Sequence, residues 1–439
     1  MKYITNSTAV MGDMLKDIGL NSIDQLFADI PEKFRFAGSL GVGTGLSELE
    51  VQRELSDLAA KNVTIDECPC FLGAGAYDHY IPAAVEQLLS RSEFYSSYTP
   101  YQAEISQGIL QYIFEYQTLM CELTGMDVAN ASMYDAGSAL AEACNMAAGI
   151  TRKKKILLSG TVNPDYRQVV SSYSLSGNID VQQIPVQDGV TDWEKLSAQL
   201  DKETAAVVVQ QPNFYGCIED LNYLADQVHT HKALLIIVVD PISLAVLKTP
   251  GEYGADIAVA EGQVLGSRLN FGGPYLGILA VDKKYMRKIP GRLVGETLDM
   301  AGNKGYVLTL QAREQHIRRE QASSNICSNH SLNALAATIY ISLVGAQGLR
   351  AIALRSHHLA LYAQRQLSER GVQLMYKQPF LREFAVQINS TGKANQMLEE
   401  QGLIGGYRLN QGLLLAFTEK RTKEEIDRLV EVLGGIAHE

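Results

Sequence analysis

The chain has 439 residues, of which 46% are hydrophobic and 20% charged, a composition typical of a globular protein with a large core. Its 38 basic and 49 acidic side chains give a net charge of −11, which argues against nucleic acid or an anionic membrane as the main partner. The longest apolar run, Ala233 to Val239, spans seven residues and is far shorter than the ~20 that a membrane-spanning helix needs. The six cysteines form no CxxC pair and the N-terminus lacks a signal-like apolar core, so we expect a cytoplasmic protein.

The predicted elements fall into three parts. Residues 1–60 are predicted to form a helical arm, with capping boxes at Ser22–Gln25 and Ser47–Glu50. Residues 61–325 are predicted to form a large α/β domain, because continuous apolar strands alternate with helices and indicate a mostly parallel sheet covered on both faces. Residues 326–439 combine a long helix with short strands and predict a smaller α+β domain.

One predicted strand ends in an aspartate but is not followed by a lysine at the expected place. The run ALLIIVVDP ends in Asp240, and in enzymes that use pyridoxal phosphate such an aspartate often holds the pyridine nitrogen, with a later lysine forming the Schiff base. The next strand is instead followed by Glu261, and the only lysine between Asp240 and Val281 is Lys248. Lys248 lies beside a Pro-Gly turn, and Lys283 and Lys284 follow a strand, so we expect all three to be exposed.

The segment YTPYQAE contains several polar and aromatic side chains around Pro100: Tyr98, Tyr101, Gln102 and Glu104. Proline fixes its own φ and disfavours helix at Thr99, so a loop is expected just before the next helix. Phenol rings provide an apolar face with a polar tip, which suits a loop that lines a pocket. A surface or interface loop fits the residues equally well.

The segment SMYDAGSALAEA places Asp135 at a predicted helix start, with Gly137 and Ser138 in the first turn. Helix N-termini often hold the cofactor phosphate in pyridoxal enzymes, because free amides and the helix dipole attract anions. A carboxylate there can cap the helix and would repel a phosphate dianion, so we favour the cap. Asp240 is either a relic of a pyridine contact or a polar stop at a strand end.

The segment QAREQHIRREQASSNIC places four cationic or titratable side chains on a predicted helix: Arg313, His316, Arg318 and Arg319. The arginines could clamp a carboxylate or phosphate, or they could pair with Glu314 and Glu320 on an ionic helix face, which we favour for most of them. We expect the turn at Ser324 and Asn325 to face a pocket or an interface. No histidine or cysteine spacing predicts a metal site.

Three segments carry a family resemblance: residues 93–137, residues 289–329 and the strand GGPYLGILAV at residues 272–281. Together they closely resemble the P-protein family of the glycine cleavage system, the glycine decarboxylases, and the match follows the order of the chain over nearly its whole length. The family exists as one long chain with two homologous halves or as two subunits, and this chain resembles the separate N-terminal half. The resemblance implies the aminotransferase-like fold (fold type I) of pyridoxal-phosphate enzymes.

The resemblance also implies two different subunits with different roles in the reaction. A second subunit is expected to bear the pyridoxal phosphate and its lysine, in a complex with two copies of each subunit. Glycine is the implied substrate, and the lipoyl group of the H-protein is the implied acceptor of the aminomethyl group. This chain is then expected to hold no cofactor and to line a shared pocket with eight residues: Tyr98, Thr99, Tyr101, Gln102, Glu104, Gln107, Ser324 and Asn325.

Two alternatives to this hypothesis stay open at the level of sequence. A self-sufficient pyridoxal-phosphate transaminase or lyase would need Lys248 or another lysine to reach the cofactor ring. A non-catalytic scaffold would keep the fold and have lost the chemistry.

Overall fold

A computed structural model describes residues 5–36 and 38–437, and the chain divides into two compact units that meet between Val63 and Thr64. The first unit contains the helices Thr8–Asp17 (α1) and Glu48–Ala59 (α2) and the short 3₁₀ turns Ile23–Phe27 and Glu32–Phe34. Both predicted capping boxes are present, at Ser22 and Ser47. The prediction of a helical arm is too broad, because residues 38–46 have no regular structure and contain two glycines at positive φ.

The second unit contains ten helices among the described residues. They are Ala83–Leu89 (α3), Gln107–Thr124 (α4), Ala136–Thr151 (α5), Pro164–Gly177 (α6), Trp193–Gln199 (α7), Leu224–Thr230 (α8), Gln315–Arg318 (α9), Ser331–Glu369 (α10), Thr391–Glu400 (α11) and Lys423–Ala437 (α12). Its strands are Val128–Ala129 (β1), Lys155–Ser159 (β2), Asp180–Ile184 (β3), Val186–Gln187 (β4), Val190–Thr191 (β5), Thr204–Gln211 (β6), Leu234–Val239 (β7), Ile257–Glu261 (β8), Gly277–Val281 (β9), Leu293–Leu298 (β10), Lys304–Thr309 (β11), Glu383–Gln387 (β12), Tyr407–Leu409 (β13) and Gly412–Ala416 (β14).

The predicted α/β sheet is present and is mostly parallel. Seven strands form it in the order β1-β9-β8-β7-β6-β2-β3. The pairs β3-β2, β2-β6, β6-β7 and β7-β8 are parallel, whereas β9 runs antiparallel to both of its neighbours. Because four adjacent strand pairs are parallel, the carboxyl ends of β6, β7 and β8 meet at one edge of the sheet, where ligands bind in open α/β folds.

The sheet is buried on both faces, as its continuous apolar strands predict. Alternate residues of β7 enter two separate cores: Leu235 and Ile237 pack with Tyr116 of α4, whereas Ile236 and Val238 pack with Leu140 of α5. All six residues of β7 are buried. Side chains of a strand alternate between faces, so helices must cover both sides of this strand.

The C-terminal part joins α10 to the antiparallel sheet β12-β14-β13 and to α11 and α12. By length and composition alone, α10 is apolar enough to cross a membrane, and 44% of its most apolar window is buried inside the protein. Gly345 interrupts α10 with φ 61 and ψ 180, so the segment before it is shorter than the ~20 residues that a membrane span needs.

Replacing Ile237 by alanine is expected to lower the free energy of unfolding by about 2–5 kcal/mol, because the fully buried side chain lies in the central strand and its loss leaves a cavity. The matched control is Leu175→Ala, whose side chain is 86% exposed and whose loss is expected to change stability by less than about 0.5 kcal/mol. Equilibrium unfolding in urea measures both variants. Equal effects of the two would contradict the assignment of β7 to the core.

Candidate functional site

A small cavity lies at the carboxyl ends of β6, β7 and β8, where this fold places a cofactor. Its volume is about 40 Å³, which is room for a few water molecules. Side chains and backbone from the strand ends and from the C-terminal part line it: Gly75, Tyr77, Tyr166, Gln210, Pro212, Asn213, Gly216, Val238, Val239, Asp240, Pro241, Glu261, Val264, Leu381, Arg382 and Glu383. None of these described lining residues is a lysine.

Asp240 in this cavity is already paired with a cation of its own chain. Arg382 lies just before β12, is 3% exposed, and forms an ion pair with Asp240 at 2.8 Å. The same guanidinium stacks on the ring of Tyr77, 3.8 Å from the ring centroid. The Tyr77 hydroxyl donates to Glu383 at 2.8 Å, and burial raises the pKa of Glu383 to about 7. Arg382 therefore holds the carboxylate that a pyridinium nitrogen would need.

Two carboxylates occupy the N-terminus of α5. Asp135 caps the helix, as predicted, by accepting from the Ser138 amide at 2.7 Å. Glu261, at the end of β8, accepts from the amides of Ala136, Gln263 and Leu276 at 3.0, 3.1 and 3.0 Å. Burial raises the pKa of Glu261 to about 8, against the opposing effect of these amides. A phosphate at this helix start would displace the first-turn contacts and meet the carboxylate of Asp135.

The candidate lysines lie away from this cavity. Lys248 is exposed, donates to the Asn222 side chain at 3.2 Å and lies over the ring of Tyr253. Lys283 is exposed, and Lys284 pairs with Asp256 and Asp282 at 3.0 and 2.9 Å. The residues of this chain therefore do not fit pyridoxal phosphate: the cavity is too small, the aspartate is paired, the helix start is anionic, and no lining lysine is available.

A second cavity is lined almost entirely by residues 290–329, and one of its lining residues, Arg292, also contacts the YTPYQAE segment. Arg292 is 6% exposed and donates to the Tyr101 hydroxyl at 3.0 Å and to the carbonyl of Cys327. Its guanidinium lies 5.4 Å from the Tyr101 ring centroid, and the other neighbour of that ring is His316, at 5.3 Å between centroids. Two of the segments that carried the family resemblance are therefore joined by side-chain contacts.

Glu314 is the buried carboxylate of this second cavity. It lies 3.8 Å from Arg292 Nε and 3.5 Å from His316 Nδ1. Burial raises the pKa of Glu314, and the guanidinium groups of Arg292 and Arg313 oppose the shift. Arg313 donates through Nη1 to the carbonyl of Ile289. The cluster thus contains two guanidinium groups and one carboxylate in contact with the aromatic segment.

The other predicted pocket residues divide into exposed and anchored side chains. Tyr98 is 87% exposed and Tyr101 is 50% exposed, and Gln102, Glu104 and Asn325 are exposed as well. Thr99 is half-buried. The side chain of Gln107 bonds both the amide and the carbonyl of Tyr306, which anchors the start of α4 to β11.

Ser324 is anchored in a similar way. Its hydroxyl donates to the buried carboxylate of Glu142 at 2.8 Å and accepts from the amide of Ile326. Ser324 also lines the second cavity with Arg292 and Arg313. Arg292 thus links Ser324, which lines the same cavity, with Tyr101, whereas Asp240 lines the first cavity and Asp135 caps α5.

The prediction of one helix through residues 313–319 is wrong. This region consists of the 3₁₀ turn Gln311–Arg313, the single helical turn α9 and the 3₁₀ turn Arg319–Gln321. Glu314 has extended backbone and Arg319 has φ 52, so the helical hydrogen bonds cannot continue through either residue. Because the helix is broken here, the side chains of Arg313 and Glu314 point inward, whereas those of Arg318 and Arg319 are exposed.

Sequence reasoning missed Arg382 and Arg292. Arg382 comes far along the chain from Asp240, and nothing in the local pattern LREF marks it as the partner of that aspartate. Arg292 follows Pro290 and Gly291 within a segment that the resemblance singled out, and this position next to a turn was the available signal. Glu261 was noticed only as the residue in place of a lysine, without its role at the start of α5.

The chain was compared with known proteins. The family model of the glycine cleavage system P-protein matches residues 1–433. The chain belongs to this family. It is 59% identical over 435 residues to the probable glycine dehydrogenase (decarboxylating) subunit 1 of Syntrophomonas wolfei, covering 99% of each chain. It is 52% identical over 442 residues to the protein of the same name from Carboxydothermus hydrogenoformans, covering 99% of this chain and all of the relative.

Solved structures agree with the family and the fold. A crystal structure of glycine decarboxylase (P-protein) in an inhibitor-bound form superposes with a TM-score of 0.92 at 40% identity, covering 99% of this chain and 100% of that one. A sphingosine-1-phosphate lyase from Burkholderia pseudomallei gives a TM-score of 0.68 at 15% identity, covering 94% of both chains, and shows the fold alone. The predicted aminotransferase-like fold of pyridoxal-phosphate enzymes is confirmed.

Replacing Arg382 by methionine is expected to destabilise the chain by about 3–5 kcal/mol, because Asp240 would keep its charge in a mostly buried site without a partner. The control is Arg268→Met, since Arg268 pairs only with exposed carboxylates at Glu86 and Asp66 and such pairs contribute about 0–1 kcal/mol. Chemical unfolding of both variants measures the difference. A loss no larger than that of the control would contradict the proposed pairing of Asp240.

Proposed function

We propose that this chain acts as subunit 1 of glycine dehydrogenase (decarboxylating) and that a second subunit binds the pyridoxal phosphate. The observation that carries the proposal is the ion pair between Asp240 and Arg382, in a cavity of about 40 Å³ within the family's fold. A chain that belongs to this family and cannot itself accommodate the cofactor needs a partner that does. Relatives that match it over their whole length share the description subunit 1.

In the proposed reaction, pyridoxal phosphate on the partner provides the electron sink that allows glycine to lose CO2. The remaining aminomethyl group passes to the lipoyl disulfide of the H-protein, which is reduced in that step. This chain supplies part of the pocket wall, excludes water from the reacting groups and helps to position the lipoyl arm. Its own side chains carry out no covalent step.

The proposed wall consists of the eight residues named from the sequence: Tyr98, Thr99, Tyr101, Gln102, Glu104, Gln107, Ser324 and Asn325. Two observations support it. Tyr98, Tyr101 and Ile105 leave large apolar surface exposed in one short segment, which is typical of a surface that a partner covers. Arg292 contacts Tyr101 and Gln107 bonds Tyr306, so the segment is anchored at two points.

The N-terminal unit supports the need for a partner subunit. None of its described side chains is buried, yet it presents many large apolar residues, among them Met14 at 51%, Phe34 at 71% and Phe36 at 70% exposure. An apolar surface of this extent marks a protein–protein contact. We propose that subunit 2 covers it, in a cytoplasmic complex with two copies of each subunit.

The three-part division of the chain is part of the same proposal: an arm at residues 1–60 that contacts the partner, a large domain at 61–325 and a small domain at 326–439. The small domain contributes Arg382 to the cavity of the large one. A self-sufficient pyridoxal enzyme is disfavoured by the exposed position of Lys248. A pure scaffold would leave subunit 2 equally active with and without this chain.

Replacing Tyr98 by alanine is expected to lower glycine decarboxylation by the reconstituted two-subunit enzyme at least about tenfold, which corresponds to ~1.4 kcal/mol of barrier. The reason is loss of an exposed ring from the proposed wall, and the measurement is release of labelled CO2 from carboxyl-labelled glycine. Tyr223→Ala is the matched control, because Tyr223 is 84% exposed and Tyr98 87%.

Neither tyrosine packs in the core, so both variants should unfold like the wild type. Equal activity of the two variants would show that Tyr98 is not part of the proposed wall. Full activity of the double variant Tyr101→Ala, Glu104→Ala would show that the whole segment is not part of it.

A further inference from the structure

The second cavity is lined by Arg313, and one edge of its guanidinium forms no hydrogen bond with any described protein group. The atoms Nε and Nη2 of Arg313 are both buried and have no hydrogen-bond partner, whereas Nη1 donates to the carbonyl of Ile289. Nε–H and the neighbouring Nη2–H form the side-on fork of a guanidinium, which matches the two oxygens of a carboxylate. A buried fork left open costs free energy unless a ligand fills it.

We infer that this cavity binds a carboxylate and that, in the assembled enzyme, the carboxylate is that of glycine. The inference rests on the proposed function, because it places the cavity beside the shared pocket. It goes further by assigning the substrate's anionic group to residues of this chain: Arg313 as the bidentate donor and Arg292 as a second donor.

The charges of the cluster favour a monoanion. Arg292 and Arg313 supply two positive charges and Glu314 one negative charge, which leaves one positive charge uncompensated among these three groups. Glu314 does not close the fork itself, since its Oε1 has no partner and its Oε2 lies 3.8 Å from Arg292 Nε. Arg292 Nε is likewise buried without a partner. Charge-assisted hydrogen bonds from both guanidinium groups are therefore available to one incoming carboxylate.

The size and the wall of the cavity limit the ligand. Its volume is about 10 Å³, which is room for about one water molecule or one oxygen-sized group. Ser324 and residues 326–329 form part of the wall and have no regular secondary structure, and the lining residues Ser323 and Cys327 are exposed. A bidentate carboxylate needs more room than this, so its binding requires the irregular wall to move outward, with the rest of a small molecule directed to the surface.

The contact between Arg292 and Tyr101 links this cavity to the proposed pocket wall. Arg292 Nη2 donates to the Tyr101 hydroxyl at 3.0 Å, and Tyr101 is half exposed. Because Arg292 lines the cavity together with Arg313, one side chain contacts both the proposed carboxylate site and the aromatic segment. This arrangement orients glycine by its carboxylate, the group that the reaction removes.

The test is steady-state kinetics of the reconstituted enzyme with Arg313→Gln and Arg313→Lys. We expect the KM for glycine to rise at least about tenfold in R313Q and less in R313K, which keeps the charge but not the fork, with kcat changed less than KM. Acetate should inhibit the wild type competitively and R313Q much more weakly. The control is Arg365→Gln, an exposed arginine on α10, which should leave KM unchanged.

A second measurement does not depend on catalysis. Carbon-13 NMR of labelled acetate should show exchange broadening with the wild-type chain, less with R313K and none with R313Q at equal concentration. No broadening by the wild type, an unchanged KM in R313Q, or a loss of subunit association without a change in KM would each overturn the inference. An inactive wild-type pair that still broadens acetate would instead contradict the proposed function and leave the carboxylate site standing.

Discussion

The ion pair between Asp240 and Arg382 is the interaction on which the rest of the account depends. It places a guanidinium from the C-terminal part against the end of β7, stacked on Tyr77, in the place where this fold holds a cofactor ring. A buried carboxylate without such a partner would be costly, so loss of the pair would destabilise the contact between the large sheet and the C-terminal part of the chain. It also removes the aspartate from cofactor chemistry. The same residue type that serves a pyridinium in related folds here serves a protein cation.

The rest of the molecule is consistent with this change of role. Asp135 and Glu261 take up the amides at the start of α5, which satisfies a buried helix end without a phosphate. Buried polar atoms without a hydrogen-bond partner occur at both cavities: Arg382 Nη2 at the first, and atoms of Arg292, Arg313 and Glu314 at the second. At the first cavity the Arg382 guanidinium is nevertheless ion-paired with Asp240, whereas the Nε and Nη2 atoms of Arg313 at the second have neither a hydrogen bond nor an ion pair among the described residues. We therefore propose the second cavity, and not the strand ends, as the ligand-binding site of this chain.

Much of the fold could be predicted from the sequence, because its determinants are local. The run Ala233–Val239 is buried on both faces and alternates between two cores, and the capping boxes at Ser47 and Ser22 follow from side chains three residues apart. The absent lysine is equally visible in the sequence. The pairing of Arg382 with Asp240 could not be predicted, since it depends on the docking of distant segments. The inward turn of Arg313 was missed because the extended backbone of Glu314 breaks the expected helix directly after it. The roles of the eight wall residues stay a prediction.

The central claim is that the cofactor of the working enzyme is bound by the partner and not by this chain. The most direct test mixes this chain with subunit 2 and pyridoxal phosphate, reduces the mixture with borohydride and maps modified lysines on both chains by mass spectrometry. The account predicts one stoichiometric adduct on subunit 2 and no dominant adduct on this chain. A stoichiometric adduct at Lys248, or at any other single lysine of this chain, would contradict it.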